Sequence, residues 1–178
     1  MLLRLPADLH KTLAKAAADA GLSFNEFCVR RLRAPSDAHA VSPLRALVVS
    51  RARAVVGARL VGVLVIGSWA RGQAAATSDI DVLIVIDASM PLTRDLYRAW
   101  DTAPLTFEGR DIDAHFAHLP GAGVTPTAVW CEAAVDGHVW YDRDGEIAIR
   151  LGEVRRAIAD GRVVRAVAHG QPYWKGAA

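Results

Sequence analysis

This 178-residue chain contains little cysteine, little lysine and no long apolar run. Its two cysteines, Cys28 and Cys131, form no CxxC and no other metal-type spacing, which excludes a disulfide framework and a zinc-binding pattern and leaves buried thiols as the reading. Only Lys11, Lys15 and Lys175 are lysines among 21 basic residues, so the basic charge is almost all arginine. In an alanine-rich chain that excess fits a coding bias as well as it fits phosphate binding. The formal net charge of +2 is too mild to define a nucleic-acid surface by itself. No stretch of eighteen apolar residues exists; the longest run, Leu60 to Ile66, is strand-sized and interrupted by Gly62, which argues against a membrane span. The opening MLLRLPADLHK turns polar too soon for a secretory signal, so a cytoplasmic protein is expected.

What is present suits a packed domain with a small appendage: 52% hydrophobic and 22% charged residues. LLRL at 2–5 reads as a short strand ending at Pro6. Leu9, Leu13, Ala17 and Ala20 then recur at helical spacing, with Gly21 as a stop. Ser23-Phe24-Asn25-Glu26 has the form of a capping box opening a second helix. So small a unit cannot bury its own apolar stripe, and must pair with a copy of itself or dock elsewhere. Residues 34–43, with two prolines among small polar residues, read as a linker.

Beyond it, helices are expected over Leu44–Val56, Thr93–Trp100, Pro126–Val135 and Ile147–Ala159. Strands are expected over Leu60–Ile66, Ile80–Ile86, Ile112–Ala117 and Val139–Tyr141, with a brief helix or loop from Trp69 and an irregular tail at HGQPYWKG. Strands and helices mixed in this order imply an α/β or α+β domain. The expected division is 1–33, the 34–43 linker, and 44–178.

The chemistry concentrates in VIGSWARGQAAATSDIDVLIVID, residues 65–87. Gly67 ends an apolar strand and lets the backbone turn sharply, bringing N–H groups near a ligand, while Ser68 adds a hydroxyl. Arg71 can offer a charged fork to a phosphate, or simply pair with a carboxylate. Asp79 and Asp81 then stand one residue apart at the start of the next strand. Strand alternation puts them on one face, where two carboxylates repel unless a cation lies between them. Anion-binding backbone beside a cation-binding pair suits a nucleoside triphosphate with Mg²⁺. In-line displacement at phosphorus commonly uses two metal ions and a third carboxylate. Arg110-Asp111-Ile112-Asp113-Ala114-His115-Phe116 supplies it, with Asp113 favoured over Asp111 because it sits inside the strand. His115, two residues on, can touch the site, but a half-buried histidine hydrogen-bonded to backbone is the favoured expectation. Trp130, Trp140 and Tyr141 read as core aromatics, while Tyr173 and Trp174 can cover either a pocket or a partner.

Gly67-Ser68, ten residues, then Asp79-Ile80-Asp81 resembles the signature of the DNA polymerase beta-like nucleotidyltransferase superfamily. With Ala70-Arg71-Gly72 and Ser78 it is most similar to the minimal nucleotidyltransferases. The resemblance implies a small mixed sheet flanked by helices, with metal ligands at Asp79, Asp81 and Asp113 and nucleotide contacts at Gly67, Ser68 and Arg71. It also implies a toxin–antitoxin setting in which NMP, with ATP as donor, passes to a toxin-like protein or a tRNA. No segment is large enough for a separate substrate domain, so the acceptor meets a shallow surface or a partner.

Residues 1–33 resemble a ribbon-helix-helix module, which implies a homodimer and contact with operator DNA. Its outward strand face offers only Leu2 and Arg4, so base readout is meagre, and Arg30, Arg31 and Arg33 serve equally as phosphate contacts or a solvated face. The competing reading is therefore a dimeric DNA-binding autoregulator whose second domain only neutralises a partner.

Overall fold

The computed structural model describes residues 7–19, 23–25, 27–28, 42–121, 123–169 and 171–176. They belong to two compact units, Met1–Ser42 and Pro43–Ala178. In the first, α1 (Ala7–Asp19) buries Ala17, and Phe27 is also buried. The His10 and Phe24 rings lie 4.6 Å apart, and the Phe27 amide donates to the Ser23 carbonyl at 2.9 Å, the local helical bond expected after a Ser cap. The expected strand at 2–5, Glu26 of the capping box and the arginines at 30, 31 and 33 lie outside the described residues.

The second unit begins with Pro43, whose fixed φ suits the first position of α2 (Pro43–Val56). A 3-10 turn (Gly57–Arg59) leads into β1 (Leu60–Val65), and a four-residue helix α3 (Gly67–Ala70) follows. Next come β2 (Ile80–Ile86), α4 (Arg94–Asp101), β3 (Thr106–Phe107) and β4 (Arg110–His118). The chain ends with α5 (Ala128–Val135), β5 (His138–Asp142), α6 (Glu146–Ala159), β6 (Val163–Ala168) and β7 (Gln171–Gly176). Five strands form one mixed sheet in the order β3-β4-β2-β1-β5, with β2 and β4 parallel and the other neighbours antiparallel. The architecture is α/β, a small mixed sheet flanked by helices, as the sequence indicates.

Helices cover both faces, so β1 is apolar at every position and fully buried instead of alternating. One face packs Val63, Val82, Ile84 and Phe116 against α2 and α4, including Trp100. The other packs Leu64, Leu83 and Val85 against α5 and α6. Asp142 accepts from the Ala148 amide at 3.0 Å, satisfying a donor that the first turn of α6 would otherwise leave orphaned. Among the described residues no helix is long and apolar enough to cross a membrane.

The tail departs from expectation. HGQPYWKG does not wander: Gln171–Gly176 pairs antiparallel with Val163–Ala168, from Val163 opposite Gly176 to Ala168 opposite Gln171. The hairpin is fastened by a long-range contact that local sequence does not announce, since Trp174 Nε1 donates to Glu132 of α5 at 2.8 Å.

Candidate active site

Register places the acidic strands side by side. β2 and β4 run parallel with Asp81 level with Asp113 and Leu83 level with His115. Alternation along β4 buries Ile112, Ala114 and Phe116 and leaves Asp111, Asp113 and His115 exposed on the opposite face. The outcome is a cluster in which one ligand atom each of Asp81, Asp113 and His115 lies within 4.8 Å of the others. His115 Nε2 stands 3.6 Å from Asp81 Oδ1 and 3.7 Å from Asp113 Oδ2. The imidazole thus faces two carboxylates, whereas a backbone hydrogen bond is the sequence expectation for it.

The turn after β1 closes over the first of these acids. The Ile66 amide donates to the Asp81 carbonyl at 3.0 Å, and Gly67 follows with φ +72°. A Cβ at Gly67 would overlap Asp81 Oδ2 and lie 3.0 Å from Asp81 Cγ. The glycine therefore makes room for a carboxylate as well as turning the chain. The turn is braced from β5, because Trp69 packs edge-on to Trp140 at 6.0 Å and His138 Nε2 lies 3.0 Å from the Ala70 carbonyl.

A pocket of about 260 Å³ opens here, walled by Gly67, Arg71, Asp81 and His115. Glu132 and Arg165 close its other side. Arg165 Nη2 is 3.6 Å from Glu132 Oε1, and its guanidinium lies 5.9 Å from the Trp174 ring. The C-terminal hairpin thus supplies a wall of the pocket, a role that a sequence reading of an irregular tail misses.

Among the residues singled out from sequence, Gly67, Arg71 and Asp81 line the pocket, and Asp113 joins Asp81 and His115 at its edge. Ser68 is half-buried and does not line it. Asp79 is exposed, stands outside the cluster and lies one residue before the start of β2 at Ile80. Asp111 likewise stands outside the cluster. The loop carrying Asp79 is nevertheless fixed: Arg110 Nη1 donates to the Ala75 carbonyl and, at 2.9 Å, to the Ser78 carbonyl. Ser78 Oγ accepts from the Ala75 amide at 3.0 Å. Arg110 is a positioning residue whose role depends on carbonyls more than thirty positions away, which its sequence neighbourhood does not announce.

The donor set fits a divalent cation. Two carboxylates offer hard oxygen ligands, and an imidazole lies within the same sphere of reach.

Residues 50–123 match the family model described as the nucleotidyltransferase domain. The matched span contains the β1–α3 turn, Arg110 and the whole Asp81–Asp113–His115 cluster, whereas Glu132 and Arg165 are added to the pocket from beyond it. Residues 1–32 match the HicB family. Comparison with curated proteins gives no match. Among solved structures, the chain is similar to a toxin-antitoxin determined with AMP-PNP, at 16% identity and TM-score 0.45, over 63% of this chain and 84% of that one. It is also similar to a mutant of the toxin-antitoxin MntA-HpeT, at 12% identity and TM-score 0.45 over the same shares.

Proposed function

We propose that this protein transfers a nucleoside monophosphate, AMP from ATP, onto a hydroxyl of a protein or RNA acceptor in a Mg²⁺-dependent reaction, within a toxin–antitoxin system. The observation that carries the reading is the in-register pairing of Asp81 with Asp113 beside a glycine turn, inside a nucleotidyltransferase domain. Asp81 and Asp113, joined by Asp79 from the adjoining loop, are the residues that would hold the metal, and Mg²⁺ bound there would supply neutralisation of charge on the phosphate oxygens. Asp113 accepts the proton of the attacking hydroxyl. The new bond joins that oxygen to the α-phosphorus, the bond from the α-phosphorus to the bridging oxygen breaks, and pyrophosphate leaves. Arg71 directs its guanidinium to the phosphates, and Gly67 and Ser68 form the turn against which they lie.

The test is incubation with each α-labelled nucleoside triphosphate, Mg²⁺ and cell extract, resolved on separate protein and RNA gels. A labelled band from ATP is expected; no label from any nucleotide, with the protein folded, sinks the reading.

The match at residues 1–32 supports a second role for the N-terminal unit, as a homodimeriser that contacts operator DNA. A gel shift with upstream DNA, comparing the full chain with one lacking residues 1–35, should lose binding on truncation. Equal binding by both proteins removes the unit from DNA recognition.

A further inference from the structure

A larger concavity, about 470 Å³, is walled by the loop after β4, by α6 and by the start of β6. It and the pocket that holds Asp81 share boundary segments. Pro126 lines the larger and Val129 the smaller, just before and within the first turn of α5; on β6, Val163 lines the larger and Arg165 the smaller. Two residues along a strand span about 6.6 Å, so the lining of one concavity comes within a few residues of the lining of the other.

Three arginines, Arg150, Arg156 and Arg162, line the larger concavity against one acid, Glu153. Arg150 pairs with Glu153 at 2.8 Å and Arg162 with Asp160 at 3.0 Å, both at partly or well exposed positions. Pairs of that kind hold their partners weakly and yield to a stronger anion. The guanidinium fork matches a phosphate bidentately, and Thr125 adds a hydroxyl to the same wall. Gly121 and Gly123 border it without side chains, which admits a bulky ligand backbone. In the smaller pocket Arg165 and Arg71 stand with Glu132 and Asp81, so guanidinium groups are present there alongside the acids. The volume is that of a site for one small organic unit, and the run of arginines through the two concavities calls for a ligand bearing successive phosphates.

We propose that this cleft seats the sugar–phosphate backbone of an RNA acceptor, delivering its terminal hydroxyl to the pocket of Asp81 and Asp113. The inference rests on the transferase reading above and names its acceptor class. A protein acceptor would have to meet the same arginines with a run of acidic side chains, and nothing in the cleft selects for that over phosphate.

The test uses the full chain and a fluorescently labelled single-stranded RNA, with anisotropy followed across a salt series. The wild type should bind, and the pair Arg156→Glu with Arg162→Glu should weaken binding roughly tenfold or more. The slope of log affinity against log salt should become shallower by roughly 0.7 for each lost phosphate contact. Arg156→Gln with Arg162→Gln, milder and checked by circular dichroism, should move both quantities in the same direction. ATP binding measured by calorimetry should stay unchanged in both arginine pairs, whose substituted positions lie outside the pocket of Asp81. RNA affinity equal in wild type and both arginine pairs overturns the proposal, as does labelling of a protein at undiminished rate by the charge-reversed pair. Transfer retained by Asp81→Asn would instead overturn the transferase reading while leaving the RNA-binding result standing.

Discussion

Gly67 and Asp81 are in van der Waals contact across the end of the sheet: the glycine Cα leaves the space that the Asp81 carboxylate fills, and the adjoining amide of Ile66 holds the Asp81 carbonyl at 3.0 Å. The turn and the acid are therefore one device. Moving either displaces the other.

Gly67→Ala should be costly twice over. A residue with a side chain at φ +72° is strained by about 1 kcal/mol or more, and its Cβ must push the Asp81 carboxylate aside. Urea denaturation should report a loss of roughly 1–3 kcal/mol, while nucleotide transfer should fall much further than the folded fraction does. A Gly67→Ala protein with wild-type transfer would show that the Asp81 position is not fixed by this contact.

Arg110→Ala should loosen the loop that ends at Asp79. The guanidinium holds the exposed Ala75 carbonyl and the partly buried Ser78 carbonyl, and losing the second bond, from a charged donor, costs about 1.5–3 kcal/mol. Hydrogen exchange should rise at residues 75–79 and the transfer rate should drop, with Arg110→Lys recovering part of both. Unchanged exchange in that loop would remove Arg110 from the positioning of Asp79.

Cys131 is buried in the face packed on α5 and α6, and burial, with the Glu132 charge beside it adding to the effect, pushes its thiol up from 9.0 to about 11. Because the folded value lies above the ordinary one, this thiol's contribution to stability is complete below pH 9 and is lost as pH rises through 11. Alkylation at pH 8 should therefore spare Cys131 in the native state and reach the half-buried Cys28 first. Rapid native labelling of Cys131 would contradict its burial.

The sheet was legible because its cause is local. Runs such as Leu60–Val65 and Val82–Ile86 are apolar without alternation, as strands covered on both faces must be, and the period of two along Arg110–His118 places Asp113 and His115 on the face opposite Phe116. What escaped depends on distance or on boundaries. Asp79 lies one residue before β2 begins, a boundary that periodicity does not fix. The β6–β7 hairpin was hidden because Gly170 and Pro172 read as loop residues, while the bond that seats it comes from Glu132, forty-two positions away. His115 could not be assigned its carboxylate neighbours until the parallel register set Asp81 beside Asp113.

Nucleotide transfer by the Asp81–Asp113 pair is tested most directly by Asp113→Asn, assayed with α-labelled ATP, Mg²⁺ and the acceptor-containing extract, alongside thermal unfolding of the same protein. Wild-type unfolding is expected, with a transfer rate lower by roughly 10²–10⁴-fold, the range for loss of a positioned general base. Transfer at the wild-type rate by a folded Asp113→Asn protein would contradict it.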